Sequence, residues 1–180
     1  MAEGLLLIDI QNDYFSGGAM ELVEMEKAAS NAAKVLHRFR ESKRPIFHVQ
    51  HLAARPEAGF FLPGTDGCEI NPSVAPQDGE SMTQKHFPNA FRDTNLADTI
   101  RDSGVEDLVI VGAMSHMCID ASTRAAFDLG FQCTVIADAC ATRDLEFEGK
   151  SVNAADVHAS FMAALGSVYA TLKTTDQVVD

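Results

Sequence analysis

Residues 5–15 read Leu-Leu-Leu-Ile-Asp-Ile-Gln-Asn-Asp-Tyr-Phe: a short apolar run, Leu5–Ile10, cut by Asp9 and followed by polar turn residues. Four to six apolar residues bounded by turn chemistry describe a strand buried on both faces. The pattern recurs at Pro45–Gln50, Asp107–Val111 and Gln132–Ile136, and a fifth strand is expected around Ser167–Leu172. Between these runs lie stretches of helical period: Ala28–Phe39, Leu96–Ser103, Ala121–Leu129 and Ala154–Leu165. Gly104 and Gly130 stand just past two of them, where a left-handed cap is easiest for glycine. Strands that alternate with helices and read as continuous apolar runs predict a mainly parallel sheet covered on both faces, a doubly wound three-layer α/β/α fold.

At 180 residues the chain suits one domain, expected over 1–180, with a sizeable core. Residues 53–91 break the rhythm. They are rich in Pro and Gly, with Phe60, Phe61, Phe87 and Phe91 interleaved, and are expected to form an irregular lobe facing the substrate.

The net charge of −12 and pI near 4.8 argue against nucleic acid and anionic membranes as partners. The basic cluster of His37, Arg38, Arg40, Lys43 and Arg44 reads as a solvated helix end. No stretch reaches the roughly 20 apolar residues of a membrane span, and the N-terminus does not read as a signal peptide. Cys68, Cys118, Cys133 and Cys140 form no C-x-x-C pair, so free thiols and a cytoplasmic location are expected.

In an open parallel sheet, ligands bind beyond the carboxyl ends of the strands. Asp9 ends the first apolar run. Cys118 follows Val111 through the turn Gly112-Ala113-Met114-Ser115-His116-Met117, at the expected start of a helix. Lys85 falls in the lobe, within Met-Thr-Gln-Lys-His-Phe-Pro-Asn-Ala-Phe. A carboxylate in an apolar strand needs a partner, which leaves Asp9 either structural or catalytic. A thiol at a helix N-terminus has its thiolate favoured, yet cysteine is often only a small buried apolar residue. Lys85 alone says little, since most lysines are solvated.

Taken together these residues resemble the isochorismatase-like hydrolases, a family of nicotinamidases, carbamoylsarcosine and other small-amide hydrolases, and vinyl-ether-cleaving isochorismatases. The resemblance covers Leu5–Phe15, Phe61-Leu-Pro-Gly-Thr-Asp-Gly, Lys85–Phe91, Val111–Ala126 and Ile136-Ala-Asp-Ala-Cys-Ala-Thr. It implies that Cys118 is a nucleophile, Asp9 its base, and Lys85 the cation that holds Asp9. It further implies a cis peptide between Ala113 and Met114, with the Met114 and Cys118 N–H groups as oxyanion hole, and a homo-oligomer, dimer or larger. Gln11, Phe15 and His116 are expected to line the pocket or orient its groups. Cys68, Cys133 and Cys140 are expected to be unreactive.

Nicotinamidases of the family bind a metal just after the second strand. Here that place reads His48-Val-Gln-His51, whose histidines, three apart on a strand, point to opposite faces, so no metal and no cofactor are expected. The implied activity is hydrolysis of a carbon–nitrogen bond in a small amide or carbamoyl substrate through a Cys118 thioester. The alternatives are vinyl ether hydrolysis with Asp9 as acid, and a non-catalytic binding protein that keeps the fold.

Overall fold

The computed structural model describes residues 2–179. Six parallel strands lie in the order β3-β2-β1-β4-β5-β8: β1 (Ala2–Ile8), β2 (Ile46–His51), β3 (Ser81–Lys85), β4 (Val105–Ala113), β5 (Gln132–Ala141) and β8 (Thr171–Lys173). A separate antiparallel hairpin, β6 (Leu145–Phe147) and β7 (Lys150–Val152), projects between β5 and the following helix. The helices are α1 (Met25–Glu41), α2 (Leu96–Asp102), α3 (Asp120–Asp128), α4 (Ala154–Val168) and α5 (Asp176–Val179). None of the described helices is long and apolar enough to cross a membrane.

Side-chain alternation along β1 divides the core. Leu5 and Leu7 join α1 on one face of the sheet, while Leu6 and Ile8 join residues of α2, α3 and α4 on the other. Both faces are therefore covered, which is why the strand reads as unbroken apolar sequence. Helix α1 buries Met25, Ala28, Ala29, Ala32, Val35, Leu36 and Phe39, the i, i+3, i+4, i+7 stripe of an amphipathic helix. Burial of Val35, Leu36 and Phe39 stabilises by about 1.5–3 kcal/mol each. Helix α4 starts at an Asn153 cap whose side chain accepts the Asp156 N–H at 2.9 Å.

The expected doubly wound sheet is present, with corrections at its margins. Helix α4 runs on to Val168, so the last strand starts at Thr171 and not at Ser167. Strand β1 stops at Ile8, because Asp9 turns the chain at φ 53°. Strand β5 continues five residues past Ile136, to Ala141, after an irregularity opposite Ile110 and Gly112. The lobe is not wholly irregular. Residues 81–85 form the edge strand β3, paired with β2 from Phe47↔Ser81 to His51↔Lys85.

The chain reverses direction across the sheet between β1 and β4, the topological switch point at which α/β proteins bind ligands. Gly112 allows those two strands to meet there. It sits at φ 129°, and a Cβ on it would lie 2.0 Å from the Ile8 carbonyl oxygen, so only glycine fits beside the end of β1.

Candidate active site

The positions that carry Asp9, Lys85 and Cys118 all lie at the carboxyl edge of the sheet. Asp9 follows β1, and Lys85 ends β3, where parallel register sets it opposite His51. Cys118 lies beyond β4 in a π-helical turn, Ser115–Ile119, one turn earlier than the regular helix α3 that was expected to hold it. The Ala113–Met114 peptide ahead of it is cis.

The three side chains meet. Lys85 Nζ lies 2.7 Å from Asp9 Oδ2 and donates to Cys118 Sγ at 3.3 Å. It also contacts His51 Nδ1 at 2.8 Å and the Phe87 carbonyl oxygen at 3.1 Å. Asp9 and Lys85 are both 0% exposed and Cys118 is 4% exposed. The Lys85–Asp9 contact is electrostatic more than directional, because neither carboxylate oxygen receives a well-aligned hydrogen bond.

The charge states follow from this crowding. Burial alone would pull the Lys85 ammonium towards deprotonation, but the Asp9 carboxylate and the Cys118 sulfur outweigh it and raise its pKa. Burial, and then the Asp9 charge, push the Cys118 thiol well up, against the pull of Lys85. At rest the sulfur is a protonated thiol beside an ammonium–carboxylate pair. An ammonium can only donate, so His51 Nδ1 accepts from Lys85 and the ring proton sits on Nε2. Burial and the Lys85 charge lower the His51 pKa to about 4, which keeps the imidazole neutral at pH 7.

Donor atoms of Asp9, His51 and Cys118 lie within 4.8 Å of one another, close enough to invite a metal. They converge, however, on the Lys85 ammonium, which fills the place a cation would take. A divalent ion there would face a fixed like charge, so this donor set does not fit one. His48 points away from the site, as the strand period requires, with Nε2 2.8 Å from Glu80 Oε2. Glu80 is also gripped by Arg40 Nε at 2.6 Å and Nη2 at 2.8 Å, which ties the start of β3 to α1.

The remaining candidates are placed around this cluster. Gln11 is fully buried and its amide is spent on backbone, donating to His51 O at 2.9 Å and Cys68 O at 2.7 Å and accepting from His51 N–H at 2.8 Å. Its place is that of a brace between β2 and the lobe. Phe15 is partly buried against the α1-side core. His116 Nδ1 pairs with Thr142 Oγ1 at 2.6 Å, beside the Phe161 ring. Burial raises the Cys133 and Cys140 thiols to about 12.

Three residues near the site escaped the sequence reading. His51 was weighed only as a metal ligand. Tyr14 is buried, and its phenol is raised well above its ordinary value, chiefly by that burial. Asp13 anchors the lobe, its carboxylate accepting the Phe61 N–H at 2.6 Å and the Ala19 N–H at 3.2 Å. An acidic residue two positions before Phe15, in a turn, was the available signal for this last role.

A doubly wound α/β sheet with a buried cysteine, lysine and aspartate at its switch point describes a class of cysteine-dependent hydrolase. Comparison with known proteins gives the family: the isochorismatase domain model matches residues 3–167, and the chain belongs to the isochorismatase family of hydrolases. It is 52% identical over 176 residues to the isochorismatase family protein YddQ of Bacillus subtilis (strain 168), covering 98% of each chain. A crystal structure described as an isochorismatase hydrolase from Oleispira antarctica superposes with a TM-score of 0.96 at 54% identity, over 99% of this chain and 96% of that one. The N-carbamoylsarcosine amidase from Thermoplasma acidophilum superposes with a TM-score of 0.83 at 26% identity, over 98% of both chains.

Proposed function

We propose that this protein hydrolyses a carbon–nitrogen bond of a small amide or carbamoyl compound through a thioester on Cys118. The observation that carries the reading is the single buried ammonium of Lys85, in contact with both the Cys118 sulfur and the Asp9 carboxylate. The amidase activity in the name of the Thermoplasma relative supports it.

In this mechanism Asp9 takes the thiol proton as Sγ attacks the carbonyl carbon. The carbonyl oxygen becomes an oxyanion held by the Met114 and Cys118 N–H groups, each such donor stabilising by about 3–4 kcal/mol. Collapse breaks the C–N bond, and the leaving nitrogen takes the proton from Asp9. Water then attacks the thioester, losing a proton to Asp9, which returns it to the departing sulfur. Lys85 stays charged throughout and keeps Asp9 in place. A high resting thiol pKa suits this cycle, because the proton leaves only when the substrate carbonyl is there to be attacked.

Iodoacetamide labelling near neutral pH with peptide mapping tests the reading. Exposure favours Cys133 and Cys140, each 7% exposed, over Cys118 at 4%, and burial keeps all three thiols protonated at rest; Cys118 has the Asp9 carboxylate beside it to take the proton as the sulfur attacks, so the mechanism requires it to react at least tenfold faster. Equal or slower reaction at Cys118 would refute an activated nucleophile. Full activity of Cys118→Ala on isochorismate would move the reading to vinyl ether chemistry, which requires no thiol.

A further inference from the structure

Beside the buried cluster lies a cavity of about 390 Å³, large enough for a small ligand, whose wall includes His51, Phe60 and Phe87 together with Arg55 and His86. It borders the Lys85 ammonium through two residues of its wall. His51 touches Lys85 through Nδ1, and the Phe87 carbonyl oxygen accepts from Lys85 Nζ. No acidic side chain lines it, although acidic residues outnumber basic ones by 26 to 14 in the whole chain.

Arg55, and one ring nitrogen of each histidine in that wall, are uncommitted. Among the described residues Arg40, Arg44, Arg92, Arg101 and Arg124 enter ion pairs while Arg38, Arg55 and Arg143 enter none, and of these three Arg55 is the one in the cavity wall. His51 spends Nδ1 on Lys85 and has its Nε2–H free. His86 spends Nδ1 on the Leu52 carbonyl oxygen at 2.8 Å. A guanidinium that forks onto two oxygens, a neutral N–H donor and aromatic walls, without a competing carboxylate, make a subsite for a planar anion.

The geometry points to a substrate that carries a carboxylate on the same small molecule as its scissile amide: the amide carbon lies at Cys118 and the carboxylate sits in the cavity against Arg55. This deepens the cysteine hydrolase reading and rests on it. The field of a protein with net charge −12 would by itself disfavour an anion, but it is screened beyond about 8 Å in physiological salt, and inside the cavity the nearby groups decide.

Two pairs of probes of equal size test the subsite. Calorimetry compares binding of N-acetylglycine with N-acetylglycinamide, and peptide mapping compares Cys118 labelling by bromoacetylglycine with bromoacetylglycinamide. The anionic member should be favoured about tenfold in each pair, with acetate alone binding at least tenfold more weakly than N-acetylglycine. Arg55→Gln should remove the preference while changing the neutral probes less than twofold, and 1 M NaCl should shrink it. Equal or better binding of the neutral members, a preference that survives Arg55→Gln, or acetate binding as well as N-acetylglycine would overturn the subsite. If the anionic ligand is preferred but Cys118 labels no faster than Cys133, the subsite stands and the nucleophile fails. Selective Cys118 labelling without charge preference gives the reverse.

Discussion

Replacing Lys85 with Met removes the ammonium and keeps most of the side-chain volume, which isolates the ion pair at the centre of the site. Charges 2.7 Å apart attract by about 6 kcal/mol at an effective dielectric of 20. Taking both ions out of water costs several kcal/mol each, so the intact pair contributes little net stability. Breaking it is another matter, because Asp9 is 0% exposed and has no well-aligned hydrogen bond to fall back on. Lys85→Met should therefore lower unfolding free energy by about 3–5 kcal/mol. Adding Asp9→Asn in the same chain should recover at least half of the loss, since no uncompensated charge remains. Urea unfolding at pH 7 of the wild type, both single variants and the double variant measures the coupling directly. Additive losses, or a Lys85→Met protein as stable as wild type, would mean that Lys85 and Asp9 do not sustain each other as a buried pair.

Gly112→Ala should destabilise by about 3 kcal/mol or more, because its methyl group would meet the Ile8 carbonyl oxygen at 2.0 Å; a thermal melt within 2 °C of wild type would contradict the close approach of β1 and β4. Burial tends to raise the Glu80 pKa, but Arg40, the Gln77 N–H and His48 outweigh it and bring it from 4.5 to about 2. The group is depressed on folding, so its stabilisation is complete above pH 4.5 and is lost as pH falls towards 2. Glu80→Gln should thus cost on the order of 2 kcal/mol at pH 7 and less than half of that at pH 3, measured by urea unfolding at both values. The difference in 240 nm absorbance between wild type and Cys118→Ala should show no thiolate forming between pH 6 and 9; a titration near 7 would contradict a resting thiol.

Strands β1, β2, β4 and β5 were legible because both faces of each are buried, which writes continuous apolar runs into the sequence. Strand β3 was not, since Ser81-Met-Thr-Gln-Lys85 lies at the sheet edge and its only fully buried long side chain is a lysine. Asp9 and Cys118 stood out against their apolar neighbours. Lys85 carried no local signal and came only from the family resemblance. The role of His51 could not be read, because its partner is set by the register that pairs it with Lys85, a property of two strands and of neither alone. Gln11 looked like a pocket residue on sequence distance from Asp9. Its side chain is used up by the His51 and Cys68 backbone, two sites 40 and 57 residues away that only folding brings together.

Trapping the covalent intermediate tests the central claim most directly. A panel of small amides bearing a carboxylate is turned over, quenched in acid within milliseconds to seconds and mapped by mass spectrometry. The account predicts an acyl group on the Cys118 peptide, released by hydroxylamine, and a loss of at least 10³-fold in kcat for Cys118→Ala on the same amide. Turnover that leaves no adduct on that peptide and survives Cys118→Ala would contradict it.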